Sequence, residues 1–427
     1  MTATARLQSF RSGTSRTFAA FEVRNYRLYF AGQVVSVAGT WMQTVAQGLL
    51  VVTLTDSATM LGLVVAVQML PVLLFGLWAG VIADRVSRRM LLLVTQVLGA
   101  VCALTLGVLV ATDSVELWMV FCMAGLIGLV QAFENPARAA FVSELVPREL
   151  LPNAISLNSV MMNLARIVGP GTAALVKATV GLSVCFFINA VSFAAVIAAL
   201  LLIRRRELIP FQRPEHPARL REGLHYVRNT PIVFVPLLVM GIVGITAYNF
   251  QVSLLMLAKA FGNEDYYGAI SSLQGVGAVV GGLLVASRFK AKNPDVIGKG
   301  SVVLGATIVA MVLAPTIGSA LVLSVLLGGV SISLIAMAST ILQLGSSPHM
   351  RGRVMSLWAI ALMGSTAIGG PFVGWFSDQF GARAGLGLGG VAAIVTGLVA
   401  MPALGRLGDA LAGPVVTGHE PEVAPAV

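Results

Sequence analysis

Charge is what this sequence has least of. Only 11% of its 427 residues are Asp, Glu, Lys or Arg, against ~25% in a soluble globular protein. Beside 57% hydrophobic residues, that scarcity excludes a water-soluble fold, because no soluble core hides so much apolar side chain. Lipid must cover most of it. Cysteine is also rare. Cys102, Cys122 and Cys185 form an odd set, each inside an apolar run, so neither a disulfide framework nor a metal site follows; they read as small buried hydrophobes. No cluster of His, Cys, Ser or carboxylates offers acid–base or nucleophilic chemistry, so no enzyme is expected. The phosphate-cradling pattern G-x-x-x-x-G-K-[ST] is missing, which excludes ATP hydrolysis within the chain. A signal peptide is missing too: residues 1–27 are polar and arginine-bearing, and the apolar run after them is too long for a signal core. No acid sits at the centre of any apolar run.

What is there is a series of long apolar runs. A bilayer core of ~30 Å needs ~20 apolar residues per helix, and twelve runs meet that need. In the first half they are Leu28–Val52, Ala58–Ala83, Met90–Ala111, Leu117–Ala132, Leu157–Thr179 and Leu182–Ile203. In the second half they are Pro231–Ala258, Tyr267–Ser287, Val302–Ala314, Ala320–Leu344, Met355–Phe376 and Leu386–Leu404. The expected fold is an all-α membrane protein of twelve transmembrane helices.

The net charge of +10 invites a nucleic-acid reading, which its distribution rejects. With alternate loops assigned to opposite sides and the N-terminus inside, Lys177, Lys259 and Arg383 alone of the 28 basic residues fall outside. That bias places both termini in the cytosol of a multi-pass protein of the cytoplasmic membrane. The basic charge then serves orientation and contact with anionic headgroups, with no nucleic-acid partner.

The longest inner loop lies midway. Residues 204–230 hold seven arginines, three glutamates and three prolines. Near its end Leu220, Leu224 and Val227 share one helical face, the spacing of a surface helix lying on the membrane. The chain divides accordingly into a cytosolic segment 1–27, six helices over 28–203, a linker 204–230, six helices over 231–404, and a disordered cytosolic tail 405–427. The halves resemble each other. Pro147, Ile167, Gly169 and Pro170 recur as Pro348, Ile368, Gly370 and Pro371 at one spacing, and Gly62, Gln68 and Gly76 recur as Gly268, Gln274 and Gly282 at another. The second spacing sets Asp84 opposite Lys290, so the second half lacks that acid. Two pseudo-symmetric six-helix bundles are the expected architecture, as in transporters built from parallel repeats.

The most informative stretch is Gly80-Val-Ile-Ala-Asp84-Arg85-Val-Ser-Arg88-Arg89, four charges in a short loop between the second and third runs. It resembles the signature loop of the major facilitator superfamily, G-x-L-A-D-R-x-G-R-K, with Ser87 in place of the second glycine. A narrower resemblance is to the drug:proton antiporter-3 branch, which holds macrolide and tetracycline efflux pumps and bacterial siderophore exporters. Asn25-Tyr-Arg-Leu-Tyr-Phe-Ala-Gly-Gln33, Leu54-Thr-Asp56-Ser-Ala-Thr-Met-Leu-Gly62, Asn135-Pro-Ala-Arg138, Leu145-Val-Pro147-Arg-Glu149 and Arg351-Gly-Arg353-Val-Met-Ser carry it. Arg166-Ile-Val-Gly169-Pro170 is similar to the antiporter motif, without its fuller glycine pattern. The arginine of many proton-coupled relatives is missing from the fourth run, where Gln131 stands nearest.

The resemblance implies a monomeric secondary transporter without a cofactor. It would export a hydrophobic or amphipathic small molecule by alternating access, with the proton gradient as energy source. The alternatives are a dedicated exporter of a natural product such as a siderophore, or a non-transporting receptor or scaffold. Gly80, Asp84, Arg85, Arg88 and Arg89 would form a conformational latch, with Asp84 docking on the start of the eleventh helix near Met355, where unpaired N–H groups attract an anion. Gly169, Pro170, Gly370 and Pro371 are helix-bending and packing devices. Glu134 reads as a partner for Arg88 or Arg166 in a charge relay, or as a boundary acid in headgroup water. Arg166, two to three turns in from the inner surface at ~1.5 Å per residue, reads as paired inside the bundle or snorkelling outward. Gln43, Gln47, Gln68, Asn163, Tyr248, Asn249, Gln251, Gln274 and Trp358 are candidates to line a substrate cavity, or to hydrogen-bond between helices.

Overall fold

The structure, a computed structural model, describes residues 18–209, 220–288, 293–347 and 349–412. Among them twelve segments are long and apolar enough to cross a membrane, and no strand occurs. The first bundle comprises α1 (Arg24–Thr55), α2 (Ala58–Arg85), α3 (Arg88–Ala111), α4 (Leu117–Leu145), α5 (Leu151–Val180) and α6 (Leu182–Leu202). A short helix, α7 (Leu220–Asn229), leads to the second. That bundle comprises α8 (Pro231–Ala247) with α9 (Phe250–Ala260), α10 (Tyr266–Arg288), α11 (Asp295–Val312), α12 (Ile317–Leu344), α13 (Arg351–Phe380) and α14 (Ala382–Ala412). In the first bundle α1 and α3 pack on α6 and α2 on α4; in the second α11 packs on α14 and α10 on α12. The segment 1–17, the centre of the linker, Lys290, Pro348 and the tail from 413 lie outside the described residues.

The pseudo-symmetry is visible in packing. A Cβ at Gly128 would run into the Gln68 carbonyl, and one at Gly328 into the Gln274 carbonyl, so α4 on α2 and α12 on α10 meet through the same device. Gly169 packs on α1 and Gly369 on α8. Gly181 (φ 100°) and Gly381 (φ 92°) make the matching turns from α5 to α6 and from α13 to α14, a backbone conformation that favours glycine. In this register Gly169 matches Gly369 rather than Gly370, and Pro170 and Pro371 sit one position out of step.

The helices outrun the apolar runs. α4 does not stop at Ala132 but passes Asn135-Pro136 to Leu145. Membrane helices tolerate an internal proline because neighbouring groups take over the freed hydrogen-bond partners. The fourth helix therefore does carry an arginine, Arg138, which donates to Asn135 Oδ1 at 3.3 Å. α11 begins earlier than expected, at Asp295, which pairs with Lys299 one turn on at 2.6 Å. α14 continues through Pro402 to Ala412, so residues 405–412 of the expected tail are helical. The seventh span is broken at Tyr248-Asn249. There the Asn249 amide donates to Ile245 O at 2.6 Å, a side-chain bond that competes with the helical ladder. The linker helix docks on protein rather than showing one stripe to lipid. Val227 is buried, Tyr226 accepts from the Ser347 N–H at 3.1 Å, and Glu222 pairs with Arg353 at 2.7 Å. Leu224 is exposed.

Candidate functional site

The two bundles meet firmly at one end only, the end carrying Asp56 and Lys177. There α2 lies on α13, and α5 on α10. Backbone touches backbone: a Cβ at Gly62 would strike the Gly370 carbonyl, and one at Gly374 the Ala58 carbonyl. The Ser272 hydroxyl of α10 donates to Ile167 O of α5 at 2.8 Å, and three charged groups link the bundles across the same seam. Lys177 of α5 pairs with Glu264 at 2.8 Å and Asp265 at 2.6 Å. Lys259 of α9 pairs with Asp56. Asp378 of α13 caps the start of α2, accepting from the N–H groups of Ala58 (2.8 Å) and Thr59 (2.9 Å) and the hydroxyls of Ser57 (2.7 Å) and Thr59 (2.6 Å). An anion there answers the partial positive charge of a helix start. Two of the three cations that broke the sequence's charge bias are thus bridges of this closed end. The third, Arg383, donates to Val312 O at 2.7 Å and lies over Phe261.

At the opposite end the bundles part. Cβ atoms built on Gly76, Gly80, Gly282 and Gly352 would meet nothing within 4 Å. The expected latch residues stay within their own bundle. Arg88, buried, donates to Asp84 at 3.0 Å and to Glu144 at 2.8 Å. Arg89 donates through Nε to Leu200 O at 2.6 Å, satisfying a carbonyl in the last turn of α6. Arg85 is exposed. Glu144 lies beyond the end of the fourth apolar run, so polarity alone does not mark it as a partner for Arg88.

Between the ends lie two adjoining cavities of about 330 and 530 Å³ that share Trp41, Thr44, Val65, Met69 and Gln251. Gln43, Gln47, Gln68 and Gln251 line the first, Tyr248, Asn249, Gln251 and Gln274 the second. Gln43 also accepts from Asn189 of α6 at 2.6 Å, and Tyr248 donates to Ser331 O at 2.9 Å. Asn163 and Trp358 line neither. The Asn163 amide turns back to Ser159 O at 2.8 Å, and Trp358 is packed in the core.

Glu134 is no boundary acid. With α4 extended, it lies roughly 16 Å before the helix end at ~1.5 Å per residue, half-buried on the first cavity beside Gln131 and Arg138. Arg166 lines the second cavity with its guanidinium 5.0 Å from the centroid of the Trp41 ring. The expected pairing of these two is not made. Among the described residues no ion pair joins Glu134 to Arg166 or to Arg88. The cause is the packing: α5 lies chiefly on α1 and α10, while α4 lies on α2 and α3. Trp41 of α1 thus takes the place at Arg166 that the glutamate was expected to fill. No group of three or more His, Cys, Asp or Glu among the described residues is placed to hold a metal. Cys102 and Cys185 are buried, but Cys122 is exposed on the bundle surface.

Comparison with known proteins agrees with this geometry. Residues 15–426 match the profile of the transmembrane secretion effector family of the major facilitator superfamily. The chain belongs to this family. As a major facilitator transporter it is a membrane carrier and not an enzyme. It is 26% identical to the multidrug efflux pump Tap of Mycobacterium tuberculosis, over 88% of this chain and 92% of the pump. It is 25% identical to the staphyloferrin A transporter of Staphylococcus aureus, over 62% of this chain and 67% of that protein. Among solved structures, a bacterial homologue of the human lysosomal transporter Spinster in an inward-facing conformation superposes with a TM-score of 0.71 at 16% identity, covering 91% of this chain and 97% of that one. This last likeness concerns the major facilitator fold alone.

Proposed function

We propose that this major facilitator protein exports hydrophobic or amphipathic small molecules by alternating access, driven by the proton gradient, and that its structure here is open to the cytosol. The single observation that carries the reading is the one-ended seam. Two bundles are tied at the Asp56 end, are apart at the Asp84 end, and enclose a cavity of mixed polarity between them. A carrier needs both ends of such a cavity to open in turn. Amides, aromatics and methionines suit large, weakly polar ligands. The name of the multidrug efflux pump Tap supports export, and that of the staphyloferrin A transporter, which names a single compound, supports a dedicated carrier of one natural product as the narrower alternative.

Expression in a pump-deficient host should raise tolerance to at least one member of a broad panel of hydrophobic compounds, and purified protein in liposomes should move that compound. Movement of no solute by well-folded protein leaves the receptor or scaffold reading instead. Orientation is checked separately. In a variant freed of Cys102, Cys122 and Cys185, His225→Cys is expected to label only from the cytosolic side and Ser114→Cys only from outside. Labelling of both from one side would overturn the topology.

A further inference from the structure

Resting on the export reading, we propose that the transported molecule carries an acidic group, a carboxylate or its equivalent, and that Arg166 together with Trp41 is the point that recognises it. The larger cavity contains one formal charge and nothing to neutralise it. The residues lining it include no aspartate or glutamate, and Arg166 is its only cation. Among the described residues the Arg166 side chain makes no ion pair and no hydrogen bond, and its Nε is buried without a partner. The Trp41 ring covers one face of the guanidinium at 5.0 Å. A cation–π contact is favourable, yet it satisfies none of the N–H donors. An uncompensated cation within a membrane bundle is costly. The planar fork of a guanidinium matches a carboxylate through two parallel hydrogen bonds.

The neighbouring cavity does not ask for the same ligand. Glu134 and Arg138 stand together on it, so its formal charges balance. The rest of the larger cavity is suited to an apolar body. Val65, Met69, Ile332, Ile335 and Met363 line it, while Asn249 and Gln274 offer neutral polar groups. Its volume of about 530 Å³ falls in the range that holds drug-sized ligands. An apolar scaffold bearing one acid therefore satisfies both the walls and the unpaired guanidinium.

The test uses a matched pair of fluorescent amphiphiles, 1-pyrenebutyrate and 1-pyrenebutyramide, titrated against the full chain in nanodiscs of zwitterionic lipid, with empty nanodiscs subtracted. Energy transfer from tryptophan to pyrene reports binding. Wild type should bind the acid at least about tenfold more tightly than the amide, the order expected of a charged hydrogen-bonded pair. Arg166→Gln should bring the acid down to the amide's affinity and leave the amide unchanged, while Arg166→Lys keeps part of the preference. Equal binding of acid and amide to wild type overturns the proposal and leaves the export reading standing. A preference that survives in Arg166→Gln overturns it as well. Binding of neither probe overturns the proposal too, and leaves the export reading to the compound panel and the liposome assay.

Discussion

Asp378→Asn is expected to open the end that is closed here. The carboxylate of Asp378 holds two backbone N–H groups and two hydroxyls at the start of α2, and every one of these bonds crosses from one bundle to the other. The asparagine keeps the shape but loses the charge, and it must turn an NH₂ toward donors. Charged hydrogen bonds and helix-start anions are each worth on the order of 1–2 kcal/mol. Asp378 is exposed, so water screens part of that, and about 2 kcal/mol in all is a reasonable total. That corresponds to a roughly thirtyfold shift in the ratio of the two states. Spin labels at Ser114→Cys and Pro315→Cys, on loops of opposite bundles at that end, should show a longer distance gaining population. Thr59→Val, which removes one hydroxyl donor and keeps the N–H groups, should shift it the same way by less. Unchanged distances in both variants would mean that Asp378 is a bystander to closure.

Glu134→Gln is expected to uncouple export from the proton gradient. Proton coupling is part of the proposed function, and this acid is its best-placed carrier. It faces a cavity that reaches toward the open end, and no described residue forms an ion pair with it within 4 Å. The groups that act on it are Arg138 on its own helix and Gln96 from α3, and it in turn acts on Tyr29 from α1. When the open end shuts, the ionised carboxylate would lose its water, and protonation avoids that penalty. The glutamine variant mimics the protonated form. Uphill export in liposomes should fall by at least about tenfold, the effect of ~1.4 kcal/mol, while exchange of substrate across the membrane at equal pH continues. Uphill export by the variant that still follows the imposed pH gradient would locate coupling elsewhere.

The fold was legible because it depends on length and polarity, which a sequence carries locally. Twelve apolar runs became twelve spans, and the halving of the chain was readable from the linker and the recurring Gly-Pro pairs. The ends were harder to read. Asn135-Pro136 carries the chemistry of a helix stop, and bundle packing overrode it, so that Arg138 and Glu144 belong to a helix whose apolar run ends before them. The partners across the seam were not readable at all. Ser57 and Asp378 are 321 residues apart, and nothing in a chain announces which helix end an acid will meet. One signal did exist. Lys177 and Lys259, with Arg383, break the charge bias that the other basic residues obey, and a residue that breaks such a bias needs a reason. Of the cavity candidates, seven lie on the two cavities between the bundles. Asn163 and Trp358 do not, because their identity revealed no direction.

The geometry of α2 and α13 has a wider meaning. The two run in opposite directions along the seam. α13 ends in Asp378, which caps the head of α2 here; α2 ends in Asp84, which under the latch proposal caps the head of α13 when the other end shuts. On that proposal each helix would carry at its tail the acid for the other's head, and rocking would exchange one cap for the other. Such a pair behaves as a seesaw. Its balance depends on the difference between two like terms, which is small, while its pivot barrier depends on breaking whichever is made. Removing one acid should tip the beam. Removing both, Asp84→Asn with Asp378→Asn, should bring it back near level and let it swing faster than the natural protein does.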